Sequence, residues 1–235
     1  RSGYQGTPNS SVGFLIDDID YSGQGGIATL FDVDQVEVFR GPQGSRTGAN
    51  ALAGLIYIKT KDPTNQFEGT SEITIGDYGT QNLGIAFGGP MKNEKLKYRL
   101  VLRTDYADGF RKNIFLNKSD TSKKDELTLR YKLNWNFNET TEINFLISKV
   151  DMDDPADIWT IDGSLNTLSD RPGMDSQETN SYGVKVTKNF NNFDLQSFTS
   201  ATKTDVIFSY DADWGNPESH FPYTYNYFSE TLRKR

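Results

Sequence analysis

Leu127-Thr128-Leu129-Arg130-Tyr131-Lys132-Leu133-Asn134-Trp135-Asn136-Phe137 decides the fold. Apolar and polar residues alternate along it without a break. A period of two is the mark of a strand with one apolar and one polar face. The pattern recurs upstream. Leu96, Tyr98, Leu100 and Leu102 alternate with Lys97, Arg99, Val101 and Arg103, and Phe67, Gly69, Ser71, Ile73 and Ile75 alternate with Glu68, Thr70, Glu72 and Thr74. Further strands are expected at 80–89, 141–150, 180–190, 193–208 and 223–233.

The lengths of these runs and of the segments joining them narrow the choice. Several runs cover ten to fifteen residues, whereas strands of globular proteins peak near about 5–6. A strand tilted across a bilayer needs about 9–11. Connections near Met91–Glu94, Asn138–Thr140 and Asn191–Asn192 are tight, and those at about 108–123, 151–178 and 210–222 are long. Outer-membrane barrels have short turns on the periplasmic side and long loops outside. Trp135, Phe137, Phe190 and Phe193 sit beside the tight turns, where an aromatic girdle belongs. A soluble sandwich or solenoid of hairpins alternates in the same way, so the period alone leaves both open. Strand length and loop asymmetry favour the barrel.

Composition removes other classes. The chain has 235 residues, 35% of them hydrophobic, and no apolar run near the ~18 residues of a membrane-spanning helix. Its 12 Tyr and 15 Phe argue against disorder. With no Cys and one His, disulfide scaffolds, thiolate metal sites and multi-His centres are out. The net charge of -7 speaks against nucleic acid as a partner. The sequence opens on Arg1-Ser2-Gly3 and stops at Arg233-Lys234-Arg235 while a strand pattern is still running, which predicts a fragment cut at both ends.

Residues 1–66 follow a different grammar and are expected to be compact and mixed. Val12-Gly13-Phe14-Leu15-Ile16 reads as a short strand followed by an acidic turn at Asp17-Asp18. Thr29–Gln35 suggests a helical turn. Val36-Glu37-Val38-Phe39 is a strand broken by Gly41-Pro42, and Leu55-Ile56-Tyr57-Ile58 is another.

Val36-Glu37-Val38-Phe39-Arg40-Gly41-Pro42-Gln43-Gly44, followed by Gly48-Ala49-Asn50-Ala51-Leu52-Ala53-Gly54-Leu55-Ile56-Tyr57-Ile58-Lys59-Thr60-Lys61, resembles two successive plug blocks of TonB-dependent outer-membrane receptors. Arg1-Ser2-Gly3 and Val12–Asp18 are similar to earlier plug blocks of that family. Glu37, Arg40, Gly41, Pro42, Gly44, Gly48 and Gly54 carry the resemblance, whose order and spacing hold over about residues 1–64. The glycines permit the tight turns of a small, lumen-filling domain. Ordinary turn chemistry accounts for the same glycines when the surrounding pattern is ignored.

The resemblance implies a mostly β fold. Residues 1–66 form the C-terminal part of a plug domain, and residues 67–235 form about the first eight antiparallel strands of an incomplete transmembrane β-barrel. It implies energy-coupled uptake of a scarce substrate at the outer membrane of a Gram-negative bacterium, with a ferric siderophore favoured. Cobalamin, haem or an oligosaccharide are alternatives by the same mechanism. The implied partners are TonB, whose contact box the chain lacks, and outer-membrane lipid with lipopolysaccharide. No cofactor, metal site, catalysis or nucleic-acid partner is expected. Rival classes are a soluble carbohydrate-binding or glycosidase-like β module, and a passive porin or adhesin barrel. Asp153/Asp154 could be read as glycosidase carboxylates, but neighbours on one loop make no cleft between two opposed groups. The plug blocks argue against the porin.

Several residues are candidates for function. Asp17 and Asp18 either face ligand or start a turn, the turn being favoured. Arg46, with Ser45 and Thr47, either touches ligand or packs in the lumen. Lys97, Arg99, Arg103, Arg130 and Lys132 share the polar face and are expected to meet plug carboxylates or water. Leu100, Leu129, Tyr131 and Ile147 are expected to face lipid. Segment 151–178 reads as an acidic extracellular loop, with Asp151, Asp153, Asp154, Asp157, Asp162, Asp170, Asp175 and Glu178 against Arg171 alone. His220 falls in the last long loop and reads as a solvated side chain. Arg40 ends a plug strand and is expected to pair with Glu230 of the barrel, or with Glu72, since a guanidinium out of water needs a carboxylate.

Overall fold

In a computed structural model, residues 11–24, 29–44, 51–91, 94–160 and 162–218 are described, together with the backbone of 227–234. Alternating sequence gives an antiparallel meander. It comprises β5 (Glu68–Ile75), β6 (Gln81–Pro90), β7 (Leu96–Ala107), β9 (Lys124–Asn138), β10 (Thr141–Pro155), β12 (Met174–Asn189), β13 (Asp194–Asp211) and β14 (Tyr227–Lys234). Each strand pairs with its neighbour in this order, and the sheet stays open at β5 and β14. Between β7 and β9 lies β8 (Lys112–Asn113), and between β10 and β12 lies β11 (Asn166–Thr167). These two pair in parallel and join the two long loops. No helix among the described residues is long and apolar enough to cross a membrane, which leaves crossing by strands open.

Register sorts the side chains into two faces. Leu100, Tyr131, Ile147 and Tyr182 stand abreast on the outer face. Leu100, Leu129 and Ile147 are exposed there, and Tyr131 is half-covered. One residue along, Val101, Arg130, Ser148 and Ser181 form an inner row, with Arg99, Lys132 and Leu146 beside it. A slip of one residue would exchange the faces, so the strict alternation fixes the register. Beside the tight turns Trp135 meets Phe137 edge-on at 5.1 Å, and Phe190 stacks on Phe193 at 4.7 Å.

The second sheet has four strands in the order β2-β1-β4-β3, from β1 (Val12–Ile16), β2 (Ile19–Asp20), β3 (Val33–Arg40) and β4 (Gly54–Thr60). Ile16 pairs with Ile19, so Asp17-Asp18 is a two-residue hairpin loop, and both residues take positive φ, 49° and 69°. That is the primed turn whose twist suits a hairpin. At Gly54 a Cβ would lie 2.6 Å from the Phe39 carbonyl oxygen, so only glycine lets β4 run this close to β3. The small sheet lies against the inner face of the meander. Ile19 and Tyr21 are buried with Val150 and Met152, and Phe14, Ile16 and Leu146 pack around them.

Two expectations are corrected. Residues 29–35 form no helical turn: Phe31-Asp32 is a turn with Asp32 at φ 60°, and β3 begins at Val33. The acidic stretch 151–178 is strand at both ends, with β10 running to Pro155 and β12 starting at Met174, so the loop is 156–173. Of its carboxylates only Asp157, Asp162 and Asp170 lie in the loop. Lys149 pairs with Asp151 at 3.6 Å and with Glu178 at 3.4 Å on the outer face, where the strands have passed the apolar band.

Candidate functional site

The inner face meets the small sheet through a belt of charge. Asp32, in the turn before β3, accepts hydrogen bonds from Arg99 Nε at 2.8 Å and from Arg99 Nη2. Arg130 Nη2 lies 3.7 Å from the same carboxylate and donates to the Phe31 and Asp32 carbonyls. Side-chain exposures of 1% for Asp32, 2% for Arg99 and 6% for Arg130 put this triad out of water. Arg99 also donates to Glu68 at 2.8 Å, just where the chain enters β5. A forked guanidinium suits such a two-sided role better than an ammonium.

Lys132 makes the second clasp. Its ammonium donates to Asp17 Oδ1, Asp62 Oδ1 and the Thr60 carbonyl, all at 3.0 Å. Asp17 in turn accepts from the Thr60 amide at 2.9 Å and the Thr60 hydroxyl at 2.6 Å. One wall lysine therefore ties the β1–β2 hairpin to the segment leaving β4. At Asp62 burial works upward, but Lys132 and Lys59 outweigh it and hold the carboxyl below its ordinary value. Nearby, Lys185 approaches Asp18 at 3.4 Å.

A third contact is steric. A Cβ on Gly84 would lie 2.7 Å from the Phe31 ring, so the wall is bare where that ring packs. The Arg103 guanidinium stands 5.7 Å from the centre of the same ring and bonds Glu72 at 2.5 Å and Asp105 at 2.7 Å.

Cavities lie on either side of the belt. On the long-loop side, about 730 Å³ is bounded by Arg103, Asp105, Glu126, Asp175, Trp159 and Phe208, among others. Aromatic walls with a few charges of both signs are what a small-molecule site offers. The loops above are braced against each other. Buried Asn113 donates to Asp157 at 2.9 Å and to the Ser169 carbonyl at 2.8 Å, Thr167 donates to Asp157 at 2.7 Å, and Ser169 donates to Asp211 at 2.6 Å. On the tight-turn side, about 490 Å³ lies between the small sheet and β7 to β13.

The inward cations Arg99, Arg103, Arg130 and Lys132 lie on the expected face. Arg99, Arg130 and Lys132 meet carboxylates of the small sheet and its exit. Asp17 and Asp18 form a turn and line the tight-turn cavity. Arg46, Ser45, Thr47, Gly48 and His220 lie outside the described residues. Arg40 is exposed at the end of β3, beside the positive-φ Gly41. Glu72 is not its partner, because it pairs with Arg103 across β5 and β7. The Glu230 side chain lies outside the described residues. Glu37 accepts from Gln35, and Pro42 and Gly44 follow in the turn after β3. Asp32 escaped sequence reading: an isolated acid in a turn gives no pattern. Among the described residues no cluster of three or more His, Asp or Glu could hold a metal ion.

Fold and relatives both point to a plug-and-barrel architecture. The chain resembles TonB-dependent receptors, and its mostly β architecture is a plug portion on a barrel wall left unclosed. It is 25% identical over 158 residues to the vitamin B12 transporter BtuB of Vibrio vulnificus, a match covering 62% of this chain and 26% of the transporter. It is 35% identical over 74 residues to the probable TonB-dependent siderophore receptor PirA of Acinetobacter baumannii, covering 29% and 10%. The ferric yersiniabactin uptake receptor FyuA of Yersinia pestis shares the fold with a TM-score of 0.76 at 19% identity, over 85% of this chain and 33% of that one. The matches span about a quarter or less of these curated relatives, which are named as receptors and transporters rather than enzymes. No family model matches.

Proposed function

We propose that the complete protein is an energy-coupled receptor of the Gram-negative outer membrane that imports a ferric siderophore. The observation that carries this reading is the small sheet held against the inner wall by Asp32, Arg99, Arg130 and Lys132. Such a sheet blocks passage until work is done on it, which a passive pore does not need. TonB is the partner that supplies this work, and lipid with lipopolysaccharide surrounds the outer face. The loop-side cavity is the entry site for substrate. The division into a plug portion at 1–66 and a wall at 67–235 belongs to the same proposal, as do the plug-block roles of Glu37, Arg40, Gly41, Pro42, Gly44, Gly48 and Gly54 and an Arg40–Glu230 pair. The likeness to a vitamin B12 transporter favours a cobalamin as the second substrate reading.

Uptake of iron-labelled hydroxamate and catecholate siderophores, and of labelled cobalamin, tests this in cells lacking other receptors. The proposal expects import of one of them, abolished without TonB, with surface binding retained. Import that persists without TonB would make the protein a passive pore.

A further inference from the structure

The small sheet meets the wall through two kinds of contact, and they lie on different strands. On β6, β7 and β9 the contacts are charged or aromatic. Arg99 and Arg130 enclose Asp32, Lys132 holds Asp17 and Asp62, and the Phe31 ring packs on Gly84. On β10, β12 and β13 the buried contacts are neutral. Ile19 and Tyr21 pack on Val150, Met152 and Leu146, and Ile19 Cδ1 stops 3.5 Å from where a Cβ on Gly183 would stand. Beyond them runs a chain of hydrogen bonds. Gln177 Nε2 donates to Thr179 Oγ1 at 3.0 Å, Thr179 Oγ1 to Thr204 Oγ1 at 3.1 Å, and Thr204 Oγ1 to Gln24 Oε1 at 3.0 Å. All four of these residues are buried. The Asp18–Lys185 contact on β12 is partly in water, where a single ion pair contributes little.

Chain connectivity gives this asymmetry a direction. Residues 61–67 join β4 to β5, so the small sheet is covalently tied to the wall on the side of β6 and β7. The joint is fastened again by Lys132 at Asp62 and by Arg99 at Glu68, and the Lys61 amide donates to the Asp32 carbonyl at 3.2 Å. Groups beside a covalent joint stay at high effective concentration when a contact breaks, so the contact re-forms. Asp17 stays with the joint because Thr60 of β4 holds it. Ile19, Tyr21 and Gln24 lie far up the chain from that joint.

We propose that the small sheet is hinged on one side of this wall. Asp32, Asp62 and Glu68, held by Arg99, Arg130 and Lys132, form the hinge. The edge that carries Ile19, Tyr21 and Gln24 is the gate, which parts from β10, β12 and β13. The importer reading enters only as the purpose of the motion. The hinge itself rests on the two kinds of contact and on the joint.

The test follows thiol labelling of the complete receptor in detergent, in urea below the point of global unfolding. Val150→Cys and Val206→Cys report the gate side of the wall, and Ala86→Cys and Val101→Cys report the hinge side; all four positions are buried. Two reporters on each side keep the comparison when one variant fails to fold. The gate thiols are expected to react first, at urea concentrations where the hinge thiols stay protected. Thr204→Val should speed gate labelling roughly tenfold, the size of one hydrogen bond between buried groups, and leave hinge labelling unchanged. Lys132→Met should speed both, because a sheet without its hinge leaves as one body. Labelling of both sides together, labelling of the hinge side first, or an equal effect of Thr204→Val on both sides overturns the proposal. Uptake by cells carrying the unaltered receptor separates the two readings. Import together with simultaneous labelling removes the hinge alone, and gate-first labelling without import removes the importer alone.

Discussion

Asp32 has guanidinium groups on two sides and almost no water. Removing one partner of a buried pair leaves uncompensated charge, which costs about 3–5 kcal/mol. Asp32→Ala should therefore destabilise the small sheet by about that amount, read by denaturant unfolding of the complete receptor. A loss under about 1 kcal/mol, typical of a surface pair, would contradict the burial. Asp62 gives a pH dependence. Its carboxyl is held below the ordinary value in the folded state, so its stabilisation is present above the unfolded value of about 3.9 and is lost as the pH falls through the lower folded value. Asp62→Asn should lower stability at pH 7, and the gap from the parent should close in strong acid. A gap that stays constant through the acid range would contradict the Lys132 clasp. Arg99, Arg130 and Lys132 were legible because each is a polar beat in an apolar strand. Asp32, the partner of Arg99 and Arg130, was not, since its role depends on a turn brought from about 67 residues away.

At the scale of elements, the strands carry an apolar band on their outer face that gives way to charge near the long loops. Leu100, Tyr131 and Ile147 share one outer row, and Arg at Leu100 or Ile147 should cost roughly 2–4 kcal/mol in folding into lipid vesicles. Arg at Thr128, on the inner face, should be mild. Equal sensitivity would contradict the facing. The loops 108–123 and 156–173 form a second element, braced by Asn113 and Asp157. Asp157→Ala leaves buried donors on Asn113 and Thr167, at about 1–3 kcal/mol. Hydrogen exchange in both loops should rise together; a rise in one alone would contradict the brace. Alternation in 127–137 was readable because its apolar residues share the outer face while Arg130, Lys132 and Asn134 share the inner one. It failed in 151–155 and 174–178 because these strand ends have passed the apolar band. The outer face turns polar there, at Asp151, Asp153, Ser176 and Glu178, while Met152 on the inner face packs in the core, so the apolar beat changes side although the strand continues. In 29–35 the acids Asp32 and Asp34 imitate a helix start, while pairing with β4 makes Val33 onward a strand.

For the whole molecule, the proposed function joins wall and plug into one machine, with loops outside and tight turns inside. The antiparallel meander with alternating tight and long connections was legible from the sequence, whereas the depth at which the small sheet sits was not, because it is set by contacts between distant segments. An epitope inserted at Ser164 should be reachable on intact cells; access only from the periplasm would invert the orientation. The central claim is that the small sheet must shift against the wall for import. It is tested most directly by replacing Asp18 and Lys185, whose side chains approach at 3.4 Å, with cysteine in the complete receptor and linking them with a short bismaleimide. The account predicts that the linked receptor still binds substrate at the surface but imports none, relative to the same double variant left unlinked. Undiminished import by the fully linked receptor would contradict it.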